Sequence, residues 1–239
     1  VQMLNALEFF HYSYRFQNQL FVISLEDGIS LKDLLNDLRV LNAARINAIL
    51  VTWNSDNLKT DLEAWNARGF KFDYIEFDFE STLSQDQCNQ IVESFGDGRI
   101  PVVAVKKEIG KKPSWELMDQ ATVKLSTHFV VEKVFFMSKE SGLVADEEFI
   151  SHLTVEEAQR RLAESKQINL GHERFSGFIE ANLKYGFEIV LLEGASGSIF
   201  QEVFTHRGRG TFLTNDYPNV IRKGELTDVS DIQMLMKPY

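Results

Sequence analysis

Six short apolar runs punctuate the chain: LFVISL (20–25), AILV (48–51), YIEFDF (74–79), IPVVAV (100–105), FVVEKVFF (129–136) and EIVLL (188–192). Their length and their content of Val, Ile and Phe predict strands. Between the first two, Leu31, Leu34, Leu35 and Leu38 recur at helical spacing behind a Ser30-Leu-Lys-Asp33 cap. Between the last two, Thr154-Val-Glu-Glu157 opens EEAQRRLAESK as a capping box, in which the first side chain and the fourth satisfy each other's backbone N–H groups. Phe175, Phe178, Ile179 and Leu183 form a further helical stripe, which Gly186 closes as a C-terminal stop. Strands that alternate with helices in this way need crossover connections and so pair in parallel. The pattern therefore predicts an α/β fold over residues 17–216: a doubly wound, mainly parallel sheet whose ligands gather at the C-terminal ends of the strands.

Two end pieces stand outside that alternation. MLNALEFFHYSYRF, within residues 1–16, has a helical pattern too aromatic for a free surface helix and is expected to pack on another element or another subunit. At the other end NDYPNV reads as a linker, and VIRKGELTDVSDIQMLMKPY, covering 217–239, restarts a strand-then-helix pattern that the chain end cuts off. A segment of that size cannot bury a core of its own.

Composition narrows the functional classes. Of 239 residues 44% are hydrophobic and 25% charged, as in an ordinary globular domain and unlike a disordered or disulfide-stapled chain. Thirty-five acidic against twenty-five basic side chains give a net charge of −10, which opposes a nucleic-acid partner. Cys88 is the only cysteine, so no intrachain disulfide or multi-cysteine metal site forms, and a reducing compartment fits best. With no run of eighteen apolar residues and no signal-peptide pattern at the N-terminus, the sequence points to a cytoplasmic protein without a membrane partner.

The turns after the first two strands carry the next clue. They read Glu26-Asp27-Gly28 and Trp53-Asn54-Ser55, where a nucleotide-binding turn needs glycines for close backbone approach and a lysine for the phosphates. Two carboxylates facing a polyphosphate are unfavourable by about 1 kcal/mol per charge pair at 4 Å in water and about 4 at a partly screened site; the bland alternative is a plain surface turn. Lys106, Lys107, Lys111 and Lys112 form a dense basic loop with no aromatic residue interleaved for base stacking, as expected of a solvated loop. No histidine pair has metal-ligand spacing, and no nucleophile motif occurs. In GASGSIFQEVFTHRGRGTFL (194–213), Glu202 sits on a short predicted helix before a turn with Gly208 and Gly210 and a final strand. A carboxylate beside exposed backbone carbonyls suits a guanidinium, which has five donors in a planar fork and accepts nothing; alternatively, Glu202 is simply solvated.

IFQEVFTHRGRGTFL followed by VIRKGELTDVSDIQMLMKP resembles the L-x-E-L-F-x-x-x-G-x-G-T segment and the I-R-x-A-x-x-x-D-I-x-x-I opening of the acetyltransferase (GNAT) domain in the N-acetylglutamate synthase family. Weaker similarity runs through FSGFIEANLKYG, MDQATVKL and RFQNQLFVISL and skips about 54–95, which looks shortened and divergent. The resemblance implies an amino-acid-kinase (carbamate-kinase-like) fold. Active kinase relatives end their first strand in V-I-K-x-G-G and carry an H-G-G-G turn. Here the lysine position is Ser24, the glycine pair falls at Glu26 and Asp27, and the second turn is Trp53-Asn54-Ser55, so the resemblance implies a degenerate kinase site. Asp119 matches the family's D-Q-A aspartate, which organises lysines in active kinases; with no matching lysine it is expected to be a relic or a structural cap.

In arginine-sensitive members this domain senses L-arginine. By residue-by-residue match Tyr12, Glu202, Gly208 and Gly210 are the candidate contacts, with Arg174 where relatives place a basic residue; a histidine usual in relatives falls at Ile189. The family also implies assembly into homo-oligomers through the N-terminal helix, the alternative being that the helix folds back on its own domain. The expected function is a non-catalytic regulatory and assembly domain in arginine biosynthesis. No cofactor is expected in this chain, because the loop that cradles coenzyme A is absent; acetyl-CoA is expected of the full-length parent. The competing expectations are a small-molecule kinase using the 106–112 lysines and a pure oligomerisation module.

Overall fold

A chain whose strands are apolar on both faces must cover both, and that requirement explains the layering seen here. The computed structural model describes residues 2–78, 82–106, 114–205 and 208–215, with side chains of the first helix from residue 6 onward. Its elements run α1 (Gln2–Phe16), β1 (Leu20–Leu25), α2 (Leu31–Ala43), β2 (Asn47–Trp53), α3 (Leu58–Asn66), β3 (Phe72–Phe77), α4 (Gln85–Gly96), β4 (Ile100–Val105), α5 (Trp115–Ser126) and β5 (Lys133–Ser138). A small hairpin of β6 (Leu143–Ala145) and β7 (Glu148–Ile150) follows. After it come β8 (His152–Thr154), α6 (Val155–Glu164), α7 (His172–Tyr185), β9 (Glu188–Glu193), α8 (Ser198–Phe204) and β10 (Thr211–Thr214).

Eight strands form one sheet in the order β3-β4-β2-β1-β5-β9-β10-β8. Every pairing in it is parallel except β10 with β9. Alternate residues of each strand feed two apolar layers. Val22, Ile49, Val103 and Val134 meet Ile91 of α4, Met118 of α5, Ala158 of α6 and Phe178 of α7 on one face. Phe21, Ile23, Leu50 and Phe135 meet Leu34 of α2, Leu62 of α3 and Phe204 of α8 on the other. The doubly wound α/β sheet expected for 17–216 is therefore present.

The boundaries differ in instructive ways. The run 129–136 begins as a strand only at Lys133, since Val130 is 96% exposed and the preceding residues form a loop. β3 starts two residues before the apolar run at 74 and runs to Phe77, and residue 79 lies outside the described residues. Ser30 is the N-cap of α2, yet its side chain makes no capping bond. Thr154 and Glu157 do form the reciprocal box, and Gly186 closes α7 in the left-handed region at φ +77°. The stretch 54–95 holds α3, β3 and most of α4, and Ser84 and Gln87 cap α4 with a second box that the sequence reading passed over. Residues 217–239, together with Lys107, Lys111 and Lys112, lie outside the described residues.

The N-terminal helix packs on its own domain. Phe9 lies 5.0 Å from Phe204 and 6.3 Å from Phe200, ring centroid to centroid, and Phe16 meets Phe21 edge-on. The opposite side of α1 leaves Leu7, Phe10 and Tyr14 exposed.

Helix α8 starts at Gly197, which has no side chain to cap it. Asp37, buried on α2, lies against this end of the helix: the backbone N–H groups of Ile199, Gly197 and Phe200 favour its charged form, burial outweighs them and raises its pKa above the ordinary value, and Oδ2 is left without a hydrogen-bond partner. A carboxylate from another helix thus faces the start of α8, on which α1 packs. Replacing Asp37 with Ala should destabilise the fold by about 1–2 kcal/mol, seen as a melting-temperature drop of roughly 2–8 °C; an unchanged melting temperature would contradict a stabilising role for this carboxylate.

Candidate functional site

The C-terminal end of β1 is where an α/β sheet places chemistry, and here it leads into an ion cluster. Glu26 follows β1 directly, its N–H bonded to the carbonyl of Met137 at the end of β5. Arg174, in the first turn of α7, reaches across to it with Nη1 at 2.9 Å from Oε2. The same guanidinium grips Asp119 of α5 through two bonds, Nε to Oδ2 at 2.7 Å and Nη2 to Oδ1 at 3.1 Å. Side-chain exposures of 7% for Arg174, 13% for Asp119 and 27% for Glu26 place the cluster largely out of water. Trp115 and Phe178 enclose the guanidinium carbon at 5.3 and 5.5 Å from their ring centres.

Two carboxylates share one guanidinium, and the electrostatics follow from that imbalance. Burial pushes the Asp119 carboxyl up to about 6; the hydrogen bonds and charge of Arg174 oppose the rise, and Glu26 adds to it. For Arg174 burial works against the charge, but the bonds and charge of Asp119, then of Glu26, outweigh it and hold the group above its ordinary value. The residues matched to the family's kinase centre are thus brought together in part. Ser24 is buried, with Oγ 2.9 Å from Thr122 Oγ1 on α5, and Asp27 follows Glu26 in the exposed turn.

Two expectations need correction. Asp119 is not the cap of α5, whose capping residue is Ser114 with its side chain accepting from Leu117 N–H, and Arg174 provides the cation that Asp119 organises. Arg174, in turn, does not join the other arginine-contact candidates. Its helix packs on the face of the sheet opposite α8, and its donors are bound to Asp119 and Glu26.

Glu202, Gly208 and Gly210 come together at the end of α8, while α1 packs on α8 through Phe9, Phe200 and Phe204. Tyr12 stacks on Phe16 at 6.2 Å. Glu202 Oε2 accepts the backbone N–H of Arg209 and, at 2.8 Å, that of Gly210, so the carboxylate itself holds the turn. Gly208 has φ +59°, and a Cβ on Gly210 would lie 2.3 Å from the Leu191 carbonyl oxygen, so a left-handed turn accounts for the first glycine and close packing for the second. The structure thus supplies N–H groups facing Glu202 where the sequence suggested carbonyls facing a ligand. Arg209, which the sequence reading passed over, places its own guanidinium on Glu193 at 2.8 Å; its position between two glycines was the available signal. Ile189 is fully buried inside β9.

Lys106, the described member of the basic loop, pairs with Glu76 at 3.4 Å. Among the described residues no group of three or more His, Cys, Asp or Glu is placed to hold a metal ion, and no helix is long and apolar enough to cross a membrane.

Comparison with known proteins agrees with this geometry. The chain superposes on N-acetylglutamate synthase from Neisseria gonorrhoeae complexed with coenzyme A and L-arginine with a TM-score of 0.67 over 98% of this chain and 70% of that one, at 16% identity. UMP kinase from Ureaplasma parvum superposes over 82% of this chain and 99% of its own, with a TM-score of 0.52 and 12% identity. The fold is the amino-acid-kinase fold. In sequence, the chain is 28% identical over 133 residues to an amino-acid acetyltransferase of Pasteurella multocida (strain Pm70). That stretch is 53% of this chain and spans 29% of the relative's length. No protein-family profile matches. Against the amino-acid-kinase fold, the ion cluster stands where the sequence resemblance placed the kinase centre.

The cluster makes stability depend on pH. The folded value near 6 for Asp119 exceeds the unfolded value of 3.8, so the folded state takes up a proton in that window, and the stabilisation this brings is lost as pH rises through 6. Asp119→Asn, which cannot titrate, should flatten the stability difference between pH 5 and 7 by on the order of 1–2 kcal/mol. Equal pH profiles in denaturant melts of the two proteins would exclude Asp119 as the titrating group.

Proposed function

We propose that the chain is the non-catalytic, amino-acid-kinase-like regulatory and assembly domain of an N-acetylglutamate synthase in arginine biosynthesis, with L-arginine as its effector. The observation that carries the non-catalytic part is Arg174 held between Asp119 and Glu26. Phosphoryl transfer needs donors aimed at a polyphosphate and cations free to neutralise its developing charge. Here the guanidinium is consumed by two carboxylates, Glu26 puts negative charge where glycine would let a phosphate approach, and Ser24 replaces the lysine. A cytoplasmic location fits this reading, and acetyl-CoA belongs to the acetyltransferase domain of the parent.

The effector site rests on three supports. Glu202 is a carboxylate on α8, the helix that α1 packs against, fixed by the backbone N–H groups of Arg209 and Gly210. Guanidinium-binding chemistry already operates beside it, in the Arg209–Glu193 pair. The Neisseria enzyme with the same fold is complexed with L-arginine. The Glu202 carboxylate takes the effector's guanidinium, with Tyr12 and the turn of Gly208 and Gly210 shaping the wall.

Calorimetric titrations with L-arginine, ATP and N-acetylglutamate in parallel should give binding heat with L-arginine alone. Phosphorylation of N-acetylglutamate above a no-enzyme control would overturn the non-catalytic assignment. Because charge-assisted hydrogen bonds contribute about 1.5–3 kcal/mol each, Glu202→Gln should weaken arginine binding roughly ten- to a hundredfold with the fold retained. Binding unaffected by that change would place the effector elsewhere.

Assembly rests on the exposed stripe Leu7, Phe10 and Tyr14, spaced at i, i+3 and i+7 on the side of α1 turned away from its own domain. Residues on the inner side, Phe9 and Phe16, already belong to the core, so the two readings of this helix are compatible. Phe10→Glu with Tyr14→Ser should lower the mass measured by light scattering without loss of helicity; an unchanged mass would remove α1 from the interface.

A further inference from the structure

Asp119 and Arg174 also line the head of a groove of about 510 Å³ between α5 and α7, a volume in the range of small-molecule sites. Below them the lining turns apolar, with Val123, Gly177, Phe178 and Ala181, and toward the foot stand Lys124 and Lys184 with Glu180, a net positive charge. Trp115 roofs the head.

The charges at the head do not balance. Glu116 and Glu173 lie in the first turns of α5 and α7, where the positive ends of the helices offset them. Deeper in, Asp119 and Glu26 share the single guanidinium of Arg174, which leaves the buried cluster one positive charge short. Water cannot screen that deficit as it would at the surface.

We propose that this groove is a binding site for an organic ammonium compound, its cationic head on the Asp119 carboxylate under Trp115 and its aliphatic stem along Val123, Gly177, Phe178 and Ala181. The lysines at the foot favour an anionic group at the ligand's other end. The site is separate from the proposed arginine site, which lies with α8 on the opposite face of the sheet, so either can fail without the other.

Proton and ligand compete for one place. With the groove empty the cluster relieves its imbalance by taking up a proton on Asp119, whose carboxyl burial pushes up to about 6. The charged groups around that carboxyl are Glu26 from the β1 turn, Arg174 and Glu173 from α7, and Glu116 from its own helix. Ammonium affinity must therefore rise with pH as Asp119 ionises.

The test titrates the whole chain by calorimetry with 6-aminohexanoate, hexylamine and hexanoate. Hexylamine should bind, 6-aminohexanoate several-fold tighter, and hexanoate at least tenfold weaker than either. Hexylamine affinity should rise about tenfold from pH 5 to 7, the change in ionised fraction of a group titrating near 6. Asp119→Asn should abolish that rise. Gly177→Leu provides a variant that leaves the charges alone: outside its own stretch of helix no atom lies within 4 Å of a Cβ built there, Gly177 lines the groove, and leucine suits a helix better than glycine. It should cut affinity at least tenfold. Failure of all three compounds to bind, equal binding of hexanoate and hexylamine, a flat pH dependence, or undiminished binding by Gly177→Leu would each overturn the proposal.

Discussion

Arg174 is the point at which three elements of the sheet's upper edge are joined. Its guanidinium links the turn after β1, through Glu26, to α5, through Asp119, while its own backbone anchors α7. Removing the arginine would leave two carboxylates facing each other in a largely buried site, a change that costs about 3–5 kcal/mol when one partner of a buried pair is lost. A lysine would not replace it, since a single ammonium cannot grip Asp119 through two parallel bonds and still reach Glu26. The position of α7 against α5, and with it the shape of the groove between them, follows from this one side chain.

The same interaction explains why a fold shared with phosphotransferases is ill suited to phosphate here. The amino-acid-kinase fold offers the C-terminal ends of parallel strands as a polar crevice, but the sign of the crevice is set by a few side chains. Glu26 and Asp119 put negative charge there and engage Arg174, while the Lys139 ammonium stands beside Gly28 in the same turn.

On the opposite face of the sheet the organisation is mechanical. Asp37 of α2 lies against the start of α8, Phe204 and Phe200 receive Phe9 of α1, and Glu202 ties the following turn back to the helix. Packed aromatic rings thus join α8 to α1, whose outer side carries the exposed stripe.

Elements that depend on local pattern were legible in the sequence. The runs 20–25 and 100–105 became strands with those same limits, because both faces are buried and alternation is not needed. Thr154 with Glu157, and Gly186, marked helix ends because caps and left-handed turns are decided within four residues. The stretch 54–95 was harder: its helices have short apolar stripes, Leu58 with Leu62 and Ile91 alone, that only the sheet beneath them makes sufficient. The site divides in the same way. Sequence alone showed that Ser24, Glu26 and Asp27 are wrong for phosphate, since charge sign and side-chain size belong to the residue. It could not show that Arg174 lies against Asp119 and Glu26, 55 and 148 positions away, or that Gly210 is required by a carbonyl of Leu191. Those contacts exist only once the strands are ordered in the sheet, because partners so distant along the chain are chosen by topology and packing.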